Sequence, residues 1–148
     1  MIASRIEVEG ETARLHIWDT SGDEKYRRMI SAYVRGVHGV LLVFDLNNEE
    51  SFASVKQWKH LIDQHARDKV SRQSQISASC FQLCFQIPVV LVGNKSDLVD
   101  KQAVDAAAAR DFAGSFGMPY WEASALDGSH VRDAFRALAL GISAKRGA

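Results

Sequence analysis

Two short apolar runs set the framework of this chain, one at Val40 to Phe44 and one at Ile87 to Val92. Each run is far too short for a transmembrane helix, which needs about 20 apolar residues. Continuous apolar runs of this length are typical of strands buried on both faces, as in a parallel sheet. Helical patterns follow both runs. We therefore expect an α/β domain whose mainly parallel sheet is covered by helices on both faces.

The remaining segments alternate between strand and helix patterns. We expect an antiparallel pair at Ile6 to Glu9 and Ala13 to Trp18, joined around Gly10. A short helix or mobile loop is expected at Lys25 to Arg35, and Asn47 or Asn48 is expected to cap the next helix. Helical spacing is found in three segments. The first contains Phe52, Val55, Trp58 or Lys59, and Ile62, and the second contains Val104, Ala108, Phe112 and Phe116, which line one side of the predicted helix. The third contains Val131, Phe135, Leu138 and Ile142, and this last helix is expected to begin after Asp127-Gly128-Ser129.

Length and composition indicate one domain over residues 1–148. The chain is 47% hydrophobic, which is enough for one core, and 148 residues are too few for two domains. Its formal net charge of zero gives no electrostatic case for binding nucleic acid. The first residues have no signal-peptide core, so we expect a cytoplasmic protein. The apolar runs are too short for a transmembrane segment, and we expect a monomer. The two cysteines, Cys80 and Cys84, are expected to be free thiols.

Polar residues follow the second apolar run, in the order Asn94-Lys95-Ser96-Asp97. The carboxylate of Asp97 can accept hydrogen bonds from both N1–H and the exocyclic amine of guanine. Adenine has no matching pair of donors on that edge. Asn94 and Lys95 are expected to tie the loop to its neighbours and to cover the base. The alternative is a polar turn after a strand.

Two further segments carry polar residues after predicted strands. The segment Asp19-Thr20-Ser21-Gly22 has an acidic residue at the end of a predicted strand, where it can bind Mg²⁺ or its water ligands. Its glycine lets a backbone N–H approach a terminal phosphate. Downstream, Ser124 and Ala125 follow another predicted strand end at Pro119-Tyr120-Trp121, and their backbone N–H groups can donate hydrogen bonds to the guanine oxygen. The three segments together predict a nucleotide site.

At these segments the sequence resembles the Ras superfamily of small GTPases, and the Rab branch most of all. The supporting residues are Ile17 to Glu24, Tyr33 to Asp45, Glu50-Ser51-Phe52 and Val55 to Trp58. The resemblance implies a three-layer small G domain, similar to P-loop NTPases, that binds GTP or GDP with Mg²⁺. It also implies GTP hydrolysis as a molecular switch, in intracellular vesicle traffic.

The resemblance implies a role for several residues of the site. Asp19 and Gly22 belong to the second switch, and Asp19 meets Mg²⁺, through water. Effector and regulator proteins bind through Lys25 to Arg35. The base-binding residues are Asn94, Lys95 and Asp97, supported by Ser124 and Ala125 and covered by Leu126.

One departure from this family is the phosphate-binding loop, which needs a Gly-Lys pair that occurs nowhere in the chain. We expect a small G domain that lacks the first strand, the P-loop, the first helix and the first switch. The resemblance places the missing strand between Ala13 to Trp18 and Val40 to Asp45. Two exposed strand edges would leave the isolated chain poorly folded. The chain is therefore expected to be incomplete, and weak or inactive as written. The alternative is a pseudo-GTPase fragment that binds partner proteins without nucleotide switching.

Further departures concern catalysis, a loop and the chain end. Asp23 stands where the family has a glutamine that orients the attacking water, so we expect slow hydrolysis. Residues 67 to 87 are expected to form a loop insertion, for which three interpretations are open: a partner-binding element, an ordinary surface loop, or translated intron. No cysteine is present near residue 148 for prenylation, so peripheral membrane association is implied by the family alone.

Overall fold

The coordinates are a computed structural model that describes residues 1–23, 25, 32–34, 36–71 and 87–146. The chain opens with an antiparallel hairpin of β1 (Ile2–Val8) and β2 (Glu11–Ile17). Its two-residue turn consists of Glu9 and Gly10, with φ of 52° and 84°. Positive φ at both central residues is the geometry that matches the twist of a hairpin.

The predicted antiparallel pair is confirmed, but its boundaries differ. β1 begins four residues earlier than expected because its first residues stay paired with the end of β2, as in the Ile2↔Ile17 partners. Glu9 lies in the turn, and Trp18 lies beyond β2. Cross-strand pairing, which cannot be read from one strand alone, sets these limits.

A second sheet contains three parallel strands: β3 (Val40–Asp45), β4 (Val89–Asn94) and β5 (Tyr120–Glu122), in that order. The helices α1 (Glu49–Ser71), α2 (Ala106–Ser115) and α3 (Val131–Arg146) accompany it, with a 3₁₀ turn at Val99–Lys101. The expected α/β class with a mainly parallel sheet is confirmed.

The central strand β4 is buried on both faces. Val89 and Leu91 pack into a core that includes residues of α1 and α2, whereas Val90 and Val92 pack against α3. Successive side chains of a strand point to opposite faces, so the continuous apolar run supplies both cores. Helices therefore cover both faces of the sheet, which gives the expected three layers.

Helix α1 starts at the cap of Asn48, one of the two residues predicted. The side-chain oxygen of Asn48 accepts hydrogen bonds from the backbone N–H of Glu50 at 2.9 Å and of Ser51 at 3.2 Å. Trp58 packs at the edge of the core, as expected. The helix continues to Ser71, so residues 67–71 of the predicted insertion are helical, and residues 72–86 lie outside the described part.

The predicted apolar side of α2 is confirmed only in part. Val104 is buried and Phe112 packs against the core, but Ala108 is exposed and Phe116, beyond the helix end, is 40% exposed, whereas Ala109 and Ala113 are buried. The run of four alanines at residues 106–109 carries no periodicity, so the sequence did not fix the phase of the helix. The backbone N–H of Ala107 donates to the side chain of Asp105, which caps the start of the helix.

The hairpin and the three-stranded sheet are separate. Among the described residues, no strand pairing joins β2 to β3. The family resemblance predicts another strand between these two segments. Of the expected partner-binding range Lys25 to Arg35, residues 32–34 are helical, and most of the rest lies outside the described residues. Within the described part of the chain, no helix is both long and apolar enough to cross a membrane.

Candidate functional site

The loops after β4 and β5 are joined by side-chain hydrogen bonds. The hydroxyl of Ser124 donates to Oδ1 of Asp97 at 2.5 Å, across 27 residues of sequence. The backbone N–H of Ala125 donates to Oδ1 of Asn94 at 3.0 Å. Parallel strands end at the same edge of a sheet, which brings these two loops together. Four of the residues predicted to bind a guanine base therefore form one cluster.

Ser124 holds the carboxylate of Asp97 in place. Its side chain is fully buried, and its Oγ also accepts hydrogen bonds from the backbone N–H of Leu126 at 3.2 Å and of Asp127 at 3.3 Å. With two donors already directed at Oγ, the hydroxyl proton is left to point at Asp97. The second carboxylate oxygen, Oδ2, has no hydrogen-bond partner among the described residues, and an ionised carboxylate has about four acceptor sites. Asp97 can therefore accept two more donors.

The two backbone N–H groups predicted to meet the guanine oxygen are both engaged. The N–H of Ser124 donates to the backbone oxygen of Ser129 at 3.0 Å, and that of Ala125 donates to Asn94. A base oxygen can reach the Ala125 donor only by sharing it with Asn94. Leu126, expected to cover the base, has a side chain that is 84% exposed.

Lys95 forms an ion pair that the sequence did not reveal. Its Nζ lies 2.6 Å from Oδ2 of Asp45, at the end of β3, and its backbone has a φ of 68°. Partial burial raises the pKa of Asp45, but hydrogen bonds from Lys95 and Asn47 outweigh it, so the net pKa is below the ordinary value. The pair follows from the parallel register of β3 and β4, in which Asp45 and Asn94 are direct partners at the strand ends.

Asp19, Gly22 and Asp23 lie on the segment after β2 and are all exposed. Oδ2 of Asp23 is 2.8 Å from Nζ of Lys25, and Oδ1 accepts the backbone N–H of Lys25 at 3.1 Å. These contacts with Lys25 lower the pKa of Asp23. In the described part of the molecule, no hydrogen bond or ion pair joins these residues to the loops after β4 and β5.

The described residues do not form a magnesium site by themselves. They contain no group of three or more histidine, cysteine, aspartate or glutamate side chains placed to hold a metal ion. Mg²⁺ requires near-octahedral coordination by six oxygens, and Asp19 supplies one carboxylate. The remaining ligands would have to come from water and from a nucleotide phosphate. The described residues fit the base of a guanine nucleotide better than its metal.

Comparison with known proteins decides the family. The family model described as the Ras family matches residues 1–144. The chain belongs to the Ras family. It is 40% identical over 141 residues to the GTP-binding protein ypt1 of Schizosaccharomyces pombe, covering 95% of this chain and 61% of that protein. It is also 40% identical over 137 residues to the Ras-related protein RABD2a of Arabidopsis thaliana, covering 93% and 59%.

These relatives place this Ras-family chain in the Rab branch, as the resemblance indicated. The chain spans about three fifths of the length of both relatives. The match extends over the loops after β4 and β5, because it runs from residue 1 to residue 144. The cluster around Asp97 therefore lies within the family domain.

We expect Ser124→Ala to destabilise the protein by about 1–3 kcal/mol, because Asp97 and two backbone N–H groups lose a buried partner. The measurement is the free energy of unfolding from urea titration. Ser54→Ala is the control, since the hydroxyl of Ser54 bonds only within its own helix, to the carbonyl of Glu50. Equal stability of the two variants would contradict the supporting role of Ser124.

We expect Asp45→Asn to reduce the pH dependence of stability. The folded-state pKa of Asp45 is lowered, so its contribution is complete above the ordinary carboxyl pKa and is lost as pH falls through the lowered value. Thermal unfolding near pH 6 and near pH 3 measures this contribution. The pair with Lys95 is partly exposed, so the expected loss near pH 6 is at most about 1 kcal/mol.

The control for this variant is Asp111→Asn, an exposed helix carboxylate with no hydrogen bond or ion pair to the described residues. Its pH profile should follow that of the unaltered protein. The interpretation of Asp45 fails if both variants lose the same stability between pH 6 and pH 3.

Proposed function

We propose that this chain supplies the guanine-recognising part of a Rab-like small GTPase. The complete protein binds GTP or GDP with Mg²⁺, hydrolyses GTP, and acts as a molecular switch in intracellular vesicle traffic. The observation that carries the proposal is the hydrogen bond from Ser124 to Asp97. It joins two distant loops and leaves the carboxylate with acceptor capacity.

The role of each residue follows from these contacts. Asp97 accepts N1–H and the exocyclic amine of guanine, in two charge-assisted hydrogen bonds. Asn94 holds the loop after β5 through the N–H of Ala125, which the guanine oxygen shares. Lys95 is fixed beside the site by Asp45, and its side chain remains 51% exposed. Leu126 supplies an apolar cover for the base.

Titration of nucleosides and nucleotides into the 148-residue protein tests this proposal. Guanosine is expected to bind with a millimolar dissociation constant, because contacts to the base alone give limited affinity. It should shift the backbone amide NMR signals of residues 94–97 and 124–126. Adenosine should leave these signals unchanged, since it lacks the matching donors. Equal shifts with both nucleosides would defeat the proposal.

GDP and GTP extend the titration to the phosphates. If the described residues supply only the base site, then both nucleotides should bind with about the affinity of guanosine. Nucleotide affinity at least about a thousandfold above that of guanosine would mean that this chain anchors phosphate as well. If this chain binds only the base, then added Mg²⁺ should not change the affinity for GDP or for GTP, because Asp19 alone provides too few metal ligands.

A second candidate is a pseudo-GTPase module that binds partner proteins without switching. The sequence feature behind it is Asp23, which stands where the family has a glutamine and whose side chain pairs with Lys25. Absence of any response to guanosine, in a protein with a cooperative thermal transition, would support this candidate over the first.

Hydrolysis is tested in a chimera in which the amino-terminal part of the fission-yeast relative precedes Met1. We expect Asp23→Gln to raise the single-turnover rate of GTP hydrolysis by about tenfold or more, because the amide can donate to and orient a water that the carboxylate cannot. Release of inorganic phosphate is the measurement. Asp23→Asn removes the negative charge but keeps the shorter side chain, so it should raise the rate of hydrolysis much less than Asp23→Gln. Equal rates for Asp23 and its Gln variant would show that Asp23 does not limit hydrolysis.

A further inference from the structure

The two faces of the β1–β2 hairpin differ in chemical character. One face carries Ile6, Val8 and Leu15, which are buried or half-buried, and helix α3 contacts β1. Successive side chains of a strand point to opposite faces, so the alternate residues form the other face. These are Ala3, Arg5 and Glu7 of β1 and Thr12, Arg14 and His16 of β2, and all six are exposed. We call this polar surface the arginine face.

Arg5 and Arg14 lie directly opposite each other on the arginine face. In a hairpin with a two-residue turn, the residues that flank the turn form a hydrogen-bonded pair, and the two types of pair then alternate along the strands. The flanking pair here is Val8 with Glu11, and Arg5 with Arg14 is three steps further along. It is therefore a non-hydrogen-bonded pair, in which side chains are closest and Cβ atoms lie about 4.5–5.5 Å apart.

No described side chain neutralises these two arginines. Neither guanidinium forms an ion pair or a hydrogen bond within the described part of the chain, and Glu7, the nearest carboxylate by register, pairs with neither of them. Like charges placed directly opposite each other destabilise a sheet. A bound anion removes this repulsion, so the pair of arginines is suited to a ligand with more than one negative charge.

A phosphate monoester has the charge and the shape that two adjacent guanidinium groups bind. It carries a charge of about −1.5 to −2 near neutral pH and has three acceptor oxygens. Each arginine can donate two parallel hydrogen bonds to such a group. A carboxylate carries one charge on two oxygens, so it matches one arginine. His16 lies two residues from Arg14 on the same face and adds an N–H donor.

The charges toward the turn indicate what carries the phosphate. Glu7 shares the arginine face, and Glu9 and Glu11 are exposed at the turn. A flat anionic membrane would meet these carboxylates together with the arginines. A polypeptide can instead place a phosphate on Arg5 and a cation on Glu7, which is two residues and therefore about 7 Å away along the strand. The alternation of charge thus complements a segment with a phosphate and a nearby basic side chain.

We propose that the arginine face binds a phosphorylated segment of a partner protein, in which a phosphoserine or phosphothreonine lies two residues from a lysine or arginine. The phosphate bridges the guanidinium groups of Arg5 and Arg14. The basic residue of the partner meets Glu7, and further basic residues meet the carboxylates at the turn. This inference does not depend on nucleotide binding.

Peptide titration followed by NMR of the arginine Nε–H groups tests this proposal. The probe is the acetylated and amidated peptide phosphoserine-Ala-Lys-Ala-Lys, added to the 148-residue protein. It should shift the Nε–H signals of Arg5 and Arg14 and bind at least about tenfold more tightly than inorganic phosphate or the peptide with unmodified serine. Replacing both lysines of the peptide with glutamate should weaken binding by at least about threefold, because attraction to Glu7 becomes repulsion.

Three protein variants locate the site. Arg5→Gln and Arg14→Gln should each weaken binding of the phosphopeptide by at least about tenfold, because one guanidinium is lost from the pair. Arg132→Gln is the control, since Arg132 is an exposed arginine of α3 with no ion pair to a described residue. It makes the same change of charge and should retain full affinity. An equal loss in Arg132→Gln would show general electrostatic attraction and overturn the proposal.

Two further results would also overturn it. Equal affinity for inorganic phosphate and for the phosphopeptide would remove the polypeptide from the proposal. Binding to vesicles of phosphatidylcholine and phosphatidylserine that Arg5→Gln abolishes would assign the arginine face to a membrane.

Thermal unfolding at low salt gives a measurement that needs no ligand. Arg5→Gln should raise the temperature of the transition, because it removes the repulsion from Arg14, and added salt should reduce this gain by screening the charges. Saturating phosphopeptide should stabilise the unaltered protein more than Arg5→Gln. An unchanged transition temperature in Arg5→Gln would show that the two guanidinium groups do not face each other, which would defeat the proposal.

Discussion

Replacing Asp97 with asparagine is expected to abolish detectable guanosine binding. In the proposed site the carboxylate would provide two charge-assisted hydrogen bonds, each contributing about 1.5–3 kcal/mol, so their loss should weaken binding by at least about a hundredfold. The fold should survive, because an asparagine Oδ1 can still accept the hydroxyl of Ser124. The measurement is the shift of the amide signals of residues 94–97 and 124–126 during guanosine titration.

Xanthosine gives this variant a positive test. Xanthine has a carbonyl where guanine has the exocyclic amine, and the side-chain amide of asparagine can donate to that carbonyl. We expect Asp97→Asn to bind xanthosine and the unaltered protein to prefer guanosine. Asp111→Asn, which makes the same change of charge at an exposed helix position, should retain guanosine binding. Unchanged guanosine affinity in Asp97→Asn would remove Asp97 from the proposed site.

Replacing Phe44 with alanine is expected to cost about 3–5 kcal/mol of unfolding free energy. Its side chain is 2% exposed, and its ring packs 4.9 Å from that of Phe52 and 6.4 Å from that of Tyr120, between ring centroids. Typical total stabilities are about 5–15 kcal/mol, so this variant should lie near or below the limit of folding. Urea titration followed by circular dichroism measures the change.

Val43→Ala is the matched control, since Val43 is the adjacent residue of the same strand and its side chain is 54% exposed. We expect its unfolding free energy to change by no more than about 0.5 kcal/mol. Similar losses in the two variants would mean that β3 is not packed as described. A large loss confined to Phe44 would agree with a core between β3, α1 and β5.

The order of strands and helices could be predicted from the sequence because it depends on local pattern. The apolar runs at β3 and β4 contain too few polar residues for strands with one exposed face, so they predicted strands covered on both faces, as in a parallel sheet. The parallel pairing of β3 with β4 confirms this prediction. The cap of α1 was predicted at Asn47 or Asn48, because the residue type before a helical pattern is a local signal, and the structure selects Asn48. Patterns that lacked such signals failed, as at the alanine run of α2.

The residue types of the two loops proposed to bind guanine were predicted from the sequence, but the contacts between these loops were not. The ion pair of Lys95 with Asp45 depends on the parallel register of β3 and β4. The engaged N–H of Ser124 depends on the turn that leads into α3, where Gly128 has a φ of 85°. Neither contact is visible in a single segment of sequence, because each joins residues from different parts of the fold.

By itself the sequence determined the class of fold, the family and the residues available to read a guanine base. These follow from apolar periodicity and from short polar motifs, which act within a few residues. Only the tertiary structure decided that Ser124 holds Asp97 and that Lys95 pairs with Asp45. Both contacts require parallel strands to end at a common edge, and such long-range contacts are fixed only when the whole chain folds.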